Sequence, residues 1–488
     1  MKYSLRDLSP WSALTVLLAI PVWIMVVRGA VLSRNVDGGI FLSVTDGVSS
    51  GLSLYTDIWD NKDPFFFVLM SAASQANSNL SFFMDLLWIP LASLGVWLLA
   101  RTVVNVDRSA FLALVVTPFL IVGPFYSAGW TNTPGTALVL FAWGLFARRK
   151  FVNAGIVVGL LAFIKLTLFP IGVIGIAILI VMKFNRAPVI RTAVASLITI
   201  LISGLSLAGL GWLSGFFEAF GKNREYSSDV IVYFGFADSF FGHLSKLQTE
   251  WEMRFWVGVF LGLGLIFVGV LSAVAWKRER DFQVLILWSL IAAVGTLGIL
   301  ALTYVWPHHA QAVSLPLILS AVVAAALIPE RWWFIGFIAV MLPVTFVLSG
   351  WGSWSTLTEH FDVLSVQYDQ RVAEIAELPV DARLLNSITT SQFTYARLGT
   401  NDDRGFLGDV RPGATLACPY FHLYDFSPAE NFVQTLDCIG DVDVILETAN
   451  FNVFANGING PNVQPILDYV SANFNCLQID DRRLCTRF

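Results

Sequence analysis

The chain has 488 residues, 56% hydrophobic and only 13% charged, with a mean hydropathy of +0.69. Soluble domains are charged at about a quarter of their positions, so an ordinary soluble globule is excluded. The formal charge of −5 comes without any dense basic stretch, which excludes nucleic acid as a partner.

Apolar runs dominate residues 11–349, whereas 355–488 read like a soluble domain. In chain order the candidate membrane spans are 11–28, 82–100, 109–125, 135–147, 152–168, 170–182, 192–212, 256–275, 283–303, 311–328 and 332–349. Several are shorter than the ~20 residues that a bilayer crossing prefers, so their ends extend into the adjoining loops. The first span follows Lys2 and Arg6 but is long for a signal peptide and lacks a small-x-small cleavage site, which predicts an uncleaved helix.

Lysine and arginine set the orientation. With the N-terminus in the cytoplasm, the short connections holding Arg101/Arg108, Arg148-Arg149-Lys150, Lys183/Arg186/Arg191, Lys277-Arg278/Arg280 and Arg331 are also cytoplasmic. An odd number of spans then places the tail outside. The expected protein is an α-helical, multi-pass plasma-membrane protein (the bacterial inner membrane) with about eleven transmembrane helices. It divides into a membrane module at 1–354 and a small C-terminal α/β extracytoplasmic domain at 355–488.

Two connections predicted to be external are long, 29–81 and 213–255. Long connections that are not low in complexity are usually functional. The first carries five carboxylates, Asp37, Asp46, Asp57, Asp60 and Asp63. Asp37 follows the first span, where desolvation can tune it as a general base. Lys62 lies among the acids and could hold a phosphate oxygen. Asp57 and Asp60 either serve the site or turn the loop and pair with Lys62, and Trp59 is equally an interfacial anchor. Asp63 before Pro64 reads as a helix cap. The second connection offers Lys222, Arg224, Lys246 and Arg254 as further phosphate clamps, with Tyr226, Tyr233 and Phe236 to line a lipid or sugar groove, and no single residue in it stands apart from a solvated helix face. Lys165, in an apolar segment, either serves a site or snorkels to the surface.

In the tail, helical spacing covers 355–378 and 461–474, a buried strand covers Asp441 to Leu446, and 476–487 reads as a hairpin turning at Asp480-Asp481. All four cysteines lie here: Cys418, Cys438, Cys476 and Cys485. No zinc-type spacing accompanies them, so two disulfides in an oxidising compartment are expected. The sequence leaves their pairing open, with Cys418–Cys438 and Cys476–Cys485 the simplest choice.

An Asp just after the first span, followed by Gly51-x-x-x-Tyr55-x-Asp57-x-Trp59-Asp60-x-Lys62-x-Pro64, resembles the GT-C superfamily of membrane glycosyltransferases. The nearest groups are the bacterial protein O-mannosyltransferases and the aminoarabinose transferases of lipid A. Two further stretches are similar to that family: Ala154-Gly155 through Gly159, Leu160, Ala162 and Lys165, and Tyr304 through His308-His309 to Pro316. The chain departs from the family pattern in having Gly38 where an acid usually follows the Asp, Asp63-Pro64 where two prolines follow the Lys, and Thr131-Asn132-Thr133 where many relatives carry a Glu.

The resemblance implies sugar transfer from a polyprenyl-phosphate donor, within membrane lipid, to an envelope glycan, lipid or protein. Asp37 would be the base, and Lys62, His308, His309, Lys165 and Arg224 would hold the donor phosphate. Tyr55, Asp57, Trp59, Asp60, Asn132 and Tyr304 would line the substrate site. No cofactor is required, and a divalent metal stays open without support from the sequence, since the Asp-Glu pair is missing. The competing readings are a transporter or flippase of lipid-linked sugars and a non-catalytic binding subunit.

Overall fold

The computed structural model describes residues 10–32, 36–76, 84–122, 129, 131–183, 186–233, 289–290, 292–295, 314–327, 384–399, 413–420, 423, 427–448, 451, 460–479 and 482–488. The apolar runs of the first half become helices: α1 Pro10–Leu32, α2 Val36–Ser49, α3 Pro64–Ala76, α4 Asp85–Ala100, α5 Val106–Phe111, α6 Thr117–Ile121, α7 Asn132–Ala147, α8 Phe151–Ile164, α9 Phe169–Lys183, α10 Arg186–Gly209, α11 Trp212–Tyr233 and α12 Ser314–Leu327. A π-helical turn, Leu112–Val116, joins α5 to α6, and a 3-10 turn, Leu166–Leu168, precedes α9. The candidate spans at 256–275 and 332–349 lie outside the described residues, and 283–303 is described only at 289–290 and 292–295.

Contacts divide the chain into two units. One comprises Met1–Ser33, Asp85–Ser203 and Asp238–Asp369, the other Arg34–Met84, Gly204–Ala237 and Gln370–Phe488.

The first unit is helical. Among the described residues, one helix is by itself long and apolar enough to cross a bilayer, Ala187–Gly209, and shorter apolar helices accompany it. On α10, Leu197, Ile198, Leu201 and Ile202 are each half or more exposed. Water would penalise such a surface by roughly 25 cal/mol per Å², whereas lipid accepts it. Such a face is suited to lipid, as the apolar runs of the sequence predict.

Helix packing here relies on small residues. A Cβ on Gly155 would lie 2.3 Å from the Thr192 carbonyl oxygen of α10, and one on Gly159 would lie 2.6 Å from Thr199 Cβ. The Ala-Gly-x-x-x-Gly stretch is therefore a close-approach surface, the small-x-x-x-small pattern of membrane helices. Polar groups tie the bundle where they can: Trp143 Nε1 donates to the Gly172 carbonyl at 3.3 Å, and Arg108 Nη1 to the Ala325 carbonyl at 2.6 Å.

In the second unit, the first long connection is mostly helical rather than a loop. Its apolar residues form α2 and α3, which pack through Phe41 and Phe66 (centroids 5.6 Å apart) and a Ser49–Ser71 hydroxyl pair at 2.9 Å. Both helices are too short to span a bilayer, so their apolar faces bury against each other.

The tail forms strands β1 Phe393–Leu398, β2 Ala414–Leu416, β3 Val444–Thr448, β4 Phe474–Ile479 and β5 Arg482–Arg487, with α13 Ala429–Ile439 and α14 Gly460–Asn473. The sheet order is β2-β1-β3-β5-β4. β2, β1 and β3 run parallel, β5 is antiparallel to β3, and β4 is antiparallel to β5. Tyr395, Ile445, Phe432, Ile466 and Val470 are buried in its core. The strand expected at Asp441 to Leu446 begins later, at Val444, because Asp441 and Asp443 turn the chain. Asp443 instead binds Thr394, whose backbone N and Oγ1 both donate to Asp443 Oδ2 (2.7 and 2.9 Å).

The helix expected at 461–474 and the hairpin at 476–487 are present as α14 and β4–β5. The 355–378 helix and Asp480-Asp481 lie outside the described residues. Both disulfides form in the nearest-neighbour pairing, Cys418–Cys438 and Cys476–Cys485. Arg487 caps α13, donating from Nε to the Val442 carbonyl (2.8 Å) and from Nη2 to those of Ile439 (3.1 Å) and Gly440 (2.6 Å). Cations at helix C-termini satisfy carbonyls that the helix leaves open.

Candidate functional site

Residues 50–63 turn the chain from α2 to α3, and short-range bonds fix that turn. Tyr55 N donates to the Ile58 carbonyl at 2.8 Å, and Asp57 N to the Ser53 carbonyl at 2.9 Å. The Asp57 carboxylate accepts from Ser53 N at 2.8 Å, which closes the loop on itself. Tyr55 adopts φ 73°, a left-handed conformation that is costly for a tyrosine. Its position is held from both ends. The hydroxyl donates to the Lys62 carbonyl at 2.8 Å, and its Cβ lies against Gly215 of α11, where an added Cβ would come within 2.5 Å. Burial raises the Tyr55 phenol well above its ordinary range, with Asp63 and Asp60 adding to the effect.

Asp60 is 2% exposed, and its Oδ1 accepts from Lys62 N at 2.8 Å. Burial raises its carboxyl above the usual range, against the opposing pull of Lys62 and the backbone N–H groups of Lys62 and Asn61. Asp60 thereby shapes the backbone that carries Lys62. The Lys62 ammonium donates to Asn61 Oδ1 and lies 5.3 Å from the centroid of Phe41. Phe41 stands four residues after Asp37 in α2, so the two positions share a helix face. The Asp37 backbone opens α2, and its side chain lies outside the described residues. Pro64 opens α3 directly after Asp63, whose carbonyl accepts from Phe66 N at 3.2 Å.

Trp59 points the other way. Its N donates to the Pro419 carbonyl at 3.1 Å, and its ring lies 5.4 Å from that of Tyr420. Against both rings lies Lys222 of α11, 6% exposed. Nζ reaches the Tyr420 hydroxyl at 2.7 Å, Glu218 Oε1 at 3.2 Å and Asn431 Oδ1 at 3.5 Å. Burial alone would push the Lys222 ammonium down, but Tyr420 and Glu218 outweigh it and hold its pKa above the ordinary range. Burial also raises the Tyr420 phenol, and Lys222 partly offsets this. Sequence reasoning left Lys222 undistinguished. The available signal was its place at the end of an apolar stripe, Trp212, Phe216 and Ala219, with Glu218 one turn before it.

In the helical unit, Lys165 follows the last residue of α8 and donates from Nζ to Thr131 Oγ1 at 2.8 Å. Thr131 precedes Asn132, the 4%-exposed first residue of α7. Lys165 is thus joined to the Thr131-Asn132-Thr133 stretch rather than extended to a surface. Arg224 lies in α11 with its side chain outside the described residues, as are Tyr304, His308 and His309 entirely. Among the described residues, no group of three or more His, Cys, Asp or Glu side chains could hold a metal ion.

By sequence, the chain matches no protein-family model and no curated protein. By structure it is similar to ArnT from Cupriavidus metallidurans bound to undecaprenyl phosphate, with a TM-score of 0.50 at 13% identity over 98% of this chain and 97% of that one. It is also similar to the oligosaccharyltransferase of Archaeoglobus fulgidus tethered with an acceptor peptide, with a TM-score of 0.49 at 11% identity over 97% of this chain and 74% of that one. The likeness to ArnT runs the length of both chains, and at this identity it bears on the fold. The chain therefore shares the fold of ArnT.

Proposed function

We propose that the protein transfers a sugar from a polyprenyl-phosphate donor to a hydroxyl-bearing envelope acceptor on the outer side of the plasma membrane. The observation that carries this reading is the turn from α2 to α3. It brings Lys62 over Phe41, on the helix face that Asp37 shares, in a chain that matches a lipid-phosphate-bound protein end to end.

In the reaction, Asp37 takes the proton of the acceptor hydroxyl as its oxygen attacks the anomeric carbon. The bond from that carbon to the phosphate oxygen breaks, and polyprenyl phosphate leaves. Phosphate needs no general acid to depart, unlike the alcohol of a glycoside. It does need cations at the developing charge, a role for Lys62 with His308, His309, Lys165 and Arg224. Tyr55, Asp57, Trp59, Asp60, Asn132 and Tyr304 shape the substrate site, Asp57 and Asp60 by holding the turn. The two disulfides support an extracytoplasmic tail beyond a membrane module of about eleven spans, with the N-terminus inside.

The test is release of undecaprenyl phosphate from a panel of undecaprenyl-phosphate sugars, with envelope extract as acceptor. Wild type should turn over at least one donor, and Asp37→Asn should fold but react about 10²–10⁴-fold more slowly. Equal donor binding by both proteins with no turnover by either would sink the transferase reading.

A further inference from the structure

Three segments far apart in sequence meet at the Lys222 ammonium: the first-loop turn through Trp59, α11 itself, and the tail through Tyr420 and Asn431. A lysine has three N–H donors. Here they face Tyr420 Oη (2.7 Å), Glu218 Oε1 (3.2 Å) and Asn431 Oδ1 (3.5 Å). The ammonium also lies 4.9 Å from the Tyr420 ring centroid and 5.9 Å from that of Trp59. A buried cation so engaged has no donor left for a phosphate. It joins protein to protein.

What it joins is informative. Tyr420 follows Cys418 by two residues, and Asn431 lies on α13, which contains Cys438. The Cys418–Cys438 bond therefore ties together the two tail segments that supply Lys222 with its partners. On the other side, Trp59 is bonded to Pro419 and is followed directly by Asp60, which holds the Lys62 backbone.

We propose that Lys222 is a positioning residue: by clamping Trp59 against Tyr420 it sets the Trp59–Lys62 stretch for the donor's lipid-phosphate head, so that the tail governs donor affinity. This rests on the lipid-phosphate reading of Lys62 and adds to it a role for the tail. Lys222 does not touch the donor. Its effect appears in affinity rather than in the chemical step.

The experiment measures binding of undecaprenyl phosphate to full-length protein in detergent, for wild type, Lys222→Met, Lys222→Arg and Tyr420→Phe, with thermal unfolding alongside. Losing the charged hydrogen bonds and the ring contacts should weaken binding about tenfold in Lys222→Met. With a sugar-bearing donor, KM should rise while kcat holds. Lys222→Arg keeps the charge and should restore most of the affinity. Tyr420→Phe keeps the ring but loses the hydroxyl acceptor, so it should fall between them, and it serves as the test if Lys222→Met does not fold. Wild-type affinity in the folded fraction of Lys222→Met, or of Tyr420→Phe where it stands in, overturns the proposal, as does weakening that Lys222→Arg fails to restore. If wild type binds no undecaprenyl phosphate, the donor reading fails first and this inference falls with it.

Discussion

Where α8 meets α10, Gly155 and Gly159 let one helix come against the backbone and side chains of the other, and the atoms nearest the two glycines are uncharged. Where the first-loop turn meets the tail, the approach is made by side chains: a tryptophan and a tyrosine ring, a buried ammonium, and a disulfide just behind them. The first contact depends on shape and a neutral hydrogen bond from Thr192 Oγ1 to the Phe151 carbonyl at 3.1 Å. The second depends on protonation and on the oxidation state of sulfur, so it senses the solution around it in a way that the helix pair cannot. One kind of joint is chemically inert, and the other is responsive.

Reduction should separate the two most sharply. Replacing Cys418 and Cys438 by serine should cost the tail about 3 kcal/mol, the value for a loop of this length. Limited proteolysis should then open the tail while helix content measured by circular dichroism stays near wild type. Loss of helix content together with the tail would break the comparison. Gly155→Leu makes the converse cut, at about 2 kcal/mol of overpacking. Its loss of thermal stability in detergent should be the same with and without dithiothreitol.

Arg487→Met removes the cation over the C-terminus of α13 and should cost the tail about 1 kcal/mol, read as earlier tail proteolysis without loss of donor binding. The smallest effect is expected from Asp60→Asn. Burial raises the Asp60 carboxyl, so its folded form holds the proton more tightly than the unfolded chain does. Folding is therefore favoured below the ordinary carboxyl range and penalised as pH rises through the raised value. Asparagine still offers Oδ1 to Lys62 N and carries no charge. At neutral pH the variant should unfold no earlier than wild type, and any advantage should shrink on acidification. A variant less stable at neutral pH would mean that the carboxylate charge itself holds the turn.

Much of this was legible in the sequence wherever one physical requirement dominates a stretch. Long apolar runs had to be helices in lipid, and eight of the candidate spans carry described helices. Cysteines close in sequence found each other, and the β4–β5 hairpin put Cys476 opposite Cys485. What stayed hidden is non-local. β1 contains Arg397, 1% exposed, at a position where a charge argues against a buried strand. Lys222 looks like any lysine on a polar helix because its decisive partners lie 198 and 209 residues away. No local pattern encodes such a pairing. The α2–α3 hairpin was concealed for a different reason: its helices are apolar but short, and a reading tuned to membrane-crossing length passes over them.

The place of β5 in the sheet bears on how the protein is made. This strand comes last of the five in chain order yet lies between β3 and β4. As the chain emerges from the ribosome, β3 must wait with one edge unpaired until residues 482–487 arrive. Cys418 and Cys438 both precede that strand in the chain, whereas Cys476 has its partner only once Cys485 follows it. Chain order thus sets the two pairs apart, and each cysteine is bonded to the one nearest it in sequence.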